Sequence, residues 1–179
     1  MKNLETERLL LTPWKAEDAE DLYAYAKNPN VGPHAGWAPH KDVAESREII
    51  VNLFMPAEAW EIRDKGTGKV IGTIALEADK HRPDTKSKEI GYSLAEECWG
   101  KGIMTEATGE VLRFSFEELG LDIVGICTSP VNIRSQRVIE KCGFKYEGTI
   151  RRTYLTYDGT IRDSRCYSML KEEWEKLNK

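Results

Sequence analysis

Two periods of apolar positions run along the chain and switch at Gly- and Pro-rich breaks. The run ERLLLTPW (7–14) is short and apolar and ends at Pro13, which predicts a first strand. Residues 16–27 (AEDAEDLYAYAK) place acidic residues first and Leu22, Tyr23 and Ala26 at helical spacing. NPNVGPHAGWAPH (28–40) holds neither period and predicts a loop, after which Asp42 caps a second helix through Leu53. Residues 59–63 and 69–76 flank DKGTG as a hairpin, HRPDTKSK (81–88) is an exposed turn, and EIGYSLA (89–95) is a strand. A helix follows from Met104 to Leu119, stopped by Gly120; then come a strand (122–129) and a helix (132–144) ended by Gly143. Two last strands surround Asp158-Gly159, read as a two-residue type I′ turn, and a short helix starts near Lys171. Strand–helix alternation in the middle with hairpins on both sides predicts a mixed α/β sheet.

Composition narrows the classes. No repeat, low-complexity tract or linker interrupts the 179 residues, so one domain over 1–179 is expected. A formal net charge of −4 argues against nucleic acid and mildly favours cationic small molecules or basic peptides as partners. Cys98, Cys127, Cys142 and Cys166 are dispersed with no C-x-x-C pair, which reads as reduced thiols in a cytoplasmic protein with no metal. The start, MKNLETERLL, reaches Glu5 and Glu7 before any long apolar run and is no signal peptide. No stretch approaches the ~20 apolar residues that span a bilayer, so no membrane partner is expected.

The chemistry concentrates in CWGKGIMTEA (98–107), where Gly100 and Gly102 follow Trp99 and lead directly into a helix. Strand, G-x-G and helix is a way to seat a phosphate on backbone N–H groups and the helix dipole. A P-loop needs Gly-Lys-Ser/Thr, but Lys101 is followed by Gly102. A dinucleotide fold wants a third glycine where Thr105 stands, although Asp122 meets its acidic condition. That reading and a bare turn without ligand stay open beside a third, coenzyme A.

The stretch resembles the pyrophosphate loop of the GCN5-related N-acetyltransferases, an Arg/Gln-x-x-Gly-x-Gly/Ala turn, with Glu97 departing at its first position. NIRSQRVIEKCGFKYEG (132–148) is similar to the family's Asn-x-x-Ser helix, Gly-Phe and final hairpin. TERLLLTPW (6–14), NPNV (28–31), EIGYSL (89–94) and RDSRCYSMLKEEW (162–174) resemble the RimJ/RimL-type branch, which acetylates α-amines of ribosomal proteins. The resemblance implies a mostly antiparallel central sheet of about seven strands, the fourth and fifth splayed, with helices on both faces. It implies acetyl transfer from acetyl-CoA to a primary amine, either a protein N-terminus or a small cationic amine, by a monomer or homodimer. A non-catalytic CoA-binding module and, less directly, a dinucleotide-binding protein are the alternatives.

Carried over residue by residue, the backbone at Tyr92, Ser93 and Leu94 would bind pantetheine, with an amide near Leu94 facing the thioester oxygen. The N–H groups of Gly100, Lys101, Gly102, Ile103, Met104 and Thr105 would hold the pyrophosphate, and Lys101 would add charge. Asn132 would contact pantetheine, a helix N-cap being its other reading. Ser135 would sit near the sulfur as proton donor; the tyrosine that many relatives use about there has no counterpart in this stretch. Amines are largely protonated at neutral pH, pKa ~10.4 for a lysine-like amine and ~8 for an α-amine, so a base is needed. Glu89 is the first candidate, sharing a strand face with Gly91 and Ser93. His34 and His40 are candidate proton relays and Trp37 a pocket wall, all in the loop that lines the family's acceptor pocket. Independently, a two-residue turn at Asp158-Gly159 pairs Tyr154 with Asp163 and Arg152 with Arg165. Asp163 then either neutralises the arginines or binds the acceptor's ammonium group.

Overall fold

The computed structural model describes residues 1–57 and 59–179. Eight strands form one sheet: β1 (Leu4–Glu5), β2 (Leu9–Pro13), β3 (Ala59–Asp64), β4 (Val70–Ala78), β5 (Ser87–Leu94), β6 (Ile123–Thr128), β7 (Lys145–Leu155) and β8 (Ile161–Leu170), in the order β1-β2-β3-β4-β5-β6-β8-β7. Every pairing is antiparallel except β5 with β6. The expected mixed sheet is present, with the two-residue β1 as an extra edge.

The helices cover both faces. A first core packs β3–β6 and β8 against α4 (Ile103–Arg113) and α5 (Ile133–Lys141) through Ile90, Ile126, Met169, Val111, Leu112 and Ile139. α6 (Lys171–Leu177) joins this side through Trp174, whose ring lies 5.6 Å from that of Phe116. A second core joins Trp14, Ala59 and Ala75 to α1 (Ala19–Ala26) and to a wide turn (Ile50–Phe54) that continues α3 (Val43–Ile49). Asp42 caps α3 as expected, accepting from the Glu45 N–H at 2.8 Å. Residues 28–40, expected to be loop throughout, contain a one-turn helix α2 (Gly32–Ala35). Asn28 and Asn30 fix the start of this segment by donating their side-chain amides to the Glu96 carboxylate at 2.7 and 3.0 Å.

Two features position the site. β5 pairs with β6 only from Ser87 to Ile90, while its other edge pairs with β4 through Leu94. The strands therefore splay beyond Ile90. The second feature corrects the predicted hairpin register. Leu155 pairs with Ile161 and Tyr154 with Arg162, and Thr156 N–H donates to the Thr160 carbonyl at 2.9 Å. The loop thus has three residues, with Gly159 at φ +82°, the left-handed position such a loop requires. One added loop residue slides the partners by one, and the register shifts again between Ile150 and Tyr154, leaving Arg152 at φ +52°. Arg165 consequently faces Thr149, not Arg152.

Candidate active site

The splay opens a gap at the middle of the sheet. Ala95 N–H bonds the Ile71 carbonyl at 2.8 Å, so alternation turns the N–H groups of Tyr92 and Leu94 away from β4, toward the gap. The Leu94 carbonyl faces the same way and accepts from the Trp99 indole at 2.8 Å. Trp99 in turn carries the Arg134 guanidinium 4.6 Å above its ring, which ties the turn after β5 to α5.

Two clefts meet at this gap. The smaller, about 390 Å³, runs from Tyr92, Ser93 and Leu94 past Gly100, Gly102, Ile103, Met104 and Thr105 to one face of α5. Gly100 and Gly102 sit at φ +74° and +76°, where only glycine is unstrained, and they start α4 with its first N–H groups unbonded within the helix. Lys101 departs from expectation: its exposed side chain lies outside the cleft lining, and its carbonyl is drawn to the Arg8 guanidinium at 3.0 Å. Arg8 is held by Glu106 at 2.6 Å. The positive wall comes instead from Arg134, Arg137 and Lys141, which share an α5 face at i, i+3 and i+7. Sequence reasoning missed them, although that spacing was legible.

The larger cleft, about 550 Å³, is lined by Glu77, Glu89, Gly91, Tyr92 and Ser93 of the sheet, His34, Trp37 and His40 of the loop, and Asp163 of β8. Asn132 and Ser135 border both clefts. Asn132 is also the α5 cap, its side-chain oxygen accepting from Ser135 N–H at 3.1 Å, which bears out the cap reading. The Ser135 hydroxyl lies 2.9 Å from that of Tyr92, whose pKa burial raises. A tyrosine hydroxyl therefore does stand beside Ser135; it arrives from β5 and not from the segment after the helix.

Glu89 is half-buried. Burial foremost, then the charge of Asp79, pushes its carboxyl above the ordinary carboxylate range, while His81 and the Cys127 thiol oppose this. Asp163 accepts from the Arg152 backbone N–H at 2.8 Å, which pins the bulge while its carboxylate still lines the cleft. The hairpin closes over the loop: Tyr154 Oη donates to the Ala35 carbonyl at 3.2 Å, the Arg162 guanidinium to Pro33 at 2.8 Å and the Tyr157 N–H to Gly36 at 3.1 Å.

His40 is buried, with Nδ1 2.8 Å from Ser46 Oγ. The Ser46 hydroxyl also lies 3.2 Å from the Asp42 carbonyl. Burial lowers the His40 pKa from 6.5, with Glu45 opposing. Because the unfolded chain then protonates first as pH falls, this stability is complete above 6.5 and is lost below it. The thermal midpoint is expected to drop on acidification through this window, and His40→Gln to flatten the drop; an equally steep decline in the variant would exonerate His40.

Comparison with known proteins decides what this arrangement is. The family model described as acetyltransferase (GNAT) domain matches residues 8–145. The chain belongs to the GCN5-related N-acetyltransferases. Among its relatives are an uncharacterized N-acetyltransferase, p20, of Bacillus licheniformis, 31% identical over 97% of this chain and 99% of its own, and the FsC-acetyl coenzyme A-N(2)-transacetylase of Aspergillus fumigatus, 28% identical over 98% of this chain and 79% of its own. A GCN5-related N-acetyltransferase structure from Brucella melitensis superposes with a TM-score of 0.86 at 25% identity, covering 98% of this chain and 81% of that one. This GNAT is an acetyl-CoA-dependent acetyltransferase, which disposes of the dinucleotide and non-catalytic readings. Its residues fit acetyl-CoA: main-chain donors stand along the gap, a left-handed glycine turn opens a helix, and cations wall the far end. Among the described residues no helix is long and apolar enough to cross a membrane.

Proposed function

We propose that the enzyme acetylates the α-amine at a protein N-terminus, entering through the larger cleft and meeting acetyl-CoA at the gap between β5 and β6. The carrying observation is that the two clefts join at Tyr92 and Ser135, so a donor and an acceptor reach one point from opposite sides. The N–H groups of Tyr92 and Leu94 are the donors for the thioester oxygen, where charge develops as nitrogen attacks. Gly100, Gly102 and the first turn of α4, with Arg134, Arg137 and Lys141, hold the phosphates. Glu89 takes the proton of the incoming ammonium, directly or through water. The Ser135 hydroxyl, backed by Tyr92, returns a proton to the departing thiolate; a thiol pKa of ~8.5 makes this an undemanding step.

Exposed Leu53 and Tyr154 at the cleft favour an acceptor with side chains of its own, and the RimJ/RimL-like motifs agree. A small cationic amine is the second reading, favoured by the carboxylates of Glu77, Glu89 and Asp163 lining the same cleft. Coenzyme A thiol release is to be measured across peptides with free N-termini, the same peptides N-terminally blocked, and a panel of polyamines, aminoglycosides and amino acids. Turnover of free but not blocked peptides is expected. Turnover confined to the small amines would replace the first reading by the second.

A further inference from the structure

The cysteines that look dispersed in sequence are not all dispersed in space. Cys127 on β6 and Cys166 on β8 are direct cross-strand partners, with sulfurs 2.9 Å apart. His81, from the turn between β4 and β5, brings Nε2 to 4.0 Å from the Cys166 sulfur, and the three ligand atoms lie within 4.8 Å of one another. We propose that His81, Cys127 and Cys166 form a binding site for a thiophilic divalent cation of the zinc type, beside the acceptor cleft.

The chemistry and the scaffold agree. Two thiolates and an imidazole are the ligand set zinc prefers. Zn–S bonds of about 2.3 Å and Zn–N bonds of about 2.0–2.1 Å in tetrahedral geometry set ligand atoms about 3.5–3.8 Å apart, so binding needs the sulfurs to part and the imidazole to close in on them. Both cysteines are fixed by sheet register. The His81 turn is fixed as well: buried Asp79 accepts from His81 N–H at 2.8 Å and from Arg82 at 2.9 Å, and Arg82 also grips Glu147. With three protein ligands, the fourth position is left to water. Binding forms two metal–sulfur bonds and releases the two thiol protons to solvent. Cys127 and Glu89 both line the larger cleft, so an occupied site adds positive charge where Glu89 is proposed to accept a proton and is expected to inhibit acetyl transfer. This last consequence rests on the role proposed for Glu89; the binding site does not.

The full chain, reduced with a phosphine, is to be titrated with Co²⁺ and then Zn²⁺. One equivalent of Co²⁺ is expected to give a thiolate-to-cobalt charge-transfer band that stoichiometric Zn²⁺ abolishes. Cys127→Ser and Cys166→Ser are expected to lose the band. His81→Gln, at an exposed turn position that leaves the core untouched, is expected to weaken Co²⁺ binding about 10-fold or more. No band from the reduced wild type, a band that survives both cysteine substitutions, or unchanged affinity in His81→Gln would each overturn the site. So would thiol counting that finds Cys127 and Cys166 joined as a disulfide under the reducing conditions of the titration. The band reports binding whether or not the enzyme turns over: a bound metal without inhibition would leave the site standing and overturn only its link to Glu89.

Discussion

Glu89→Gln is expected to lower kcat by about 10²- to 10⁴-fold with the KM for acetyl-CoA unchanged, the range that a positioned general base supplies. Glutamine keeps the size and polarity of the side chain, so the half-buried position on β5 stays filled and only the proton acceptor is lost. The cleft proposed for acetyl-CoA does not include Glu89, which is why KM for the donor is the internal control. The loss is expected to shrink for acceptors whose amine is already neutral at the assay pH, because those need no base. Burial holds the carboxyl above its ordinary range, which suits it to accept a proton near neutrality. A variant with full kcat on every acceptor would move the base elsewhere, His40 being another basic group that lines the cleft.

Gly102→Val is expected to raise the KM for acetyl-CoA roughly 5- to 150-fold. Gly102 has φ +76°, and forcing a non-glycine residue into such a backbone costs about 1–3 kcal/mol, with a β-branched side chain at the upper end. No neighbouring atom except Arg8, at 3.7 Å, crowds the position, so the cost is one of backbone conformation and not of collision. The turn relaxes by rotating the N–H groups that open α4, and those are the proposed phosphate donors. Initial-rate kinetics and the stabilisation by coenzyme A in thermal melts measure the effect together. A valine variant with wild-type KM and wild-type thermal shift would show that the turn does not hold the phosphates.

What could be read from the sequence was local. Gly100, Gly102 and the start of α4 are neighbours in the chain, as are Asn132 and Ser135 at the start of α5, and their geometry follows from short-range rules. The contacts that complete the site are not local. Tyr92 meets Ser135 across 43 residues, and Cys127 meets Cys166 across 39, each set by how β5, β6 and β8 pair. The last hairpin shows how fragile such inference is. Asp158-Gly159 signals a turn correctly, but one more loop residue shifts every partner beyond it, and the arginine pair inferred from the shorter loop vanished. Proximity to the glycines points to Lys101, whereas the cations that line the cleft come from α5, where a stripe of basic residues reads equally well as a solvated face.

The hairpin and the segment around α2 are joined by donors that end on the carbonyls of Pro33, Ala35 and Gly36. Main-chain oxygens are indifferent to the side chains they carry, so positions 33 and 35 can change without losing these bonds, whereas Gly36, at φ +97° with the Tyr154 ring where a Cβ would stand, cannot. Because His34 and Ala35 border both clefts, a change there reaches the two together, and the rim cannot be remade for one side alone.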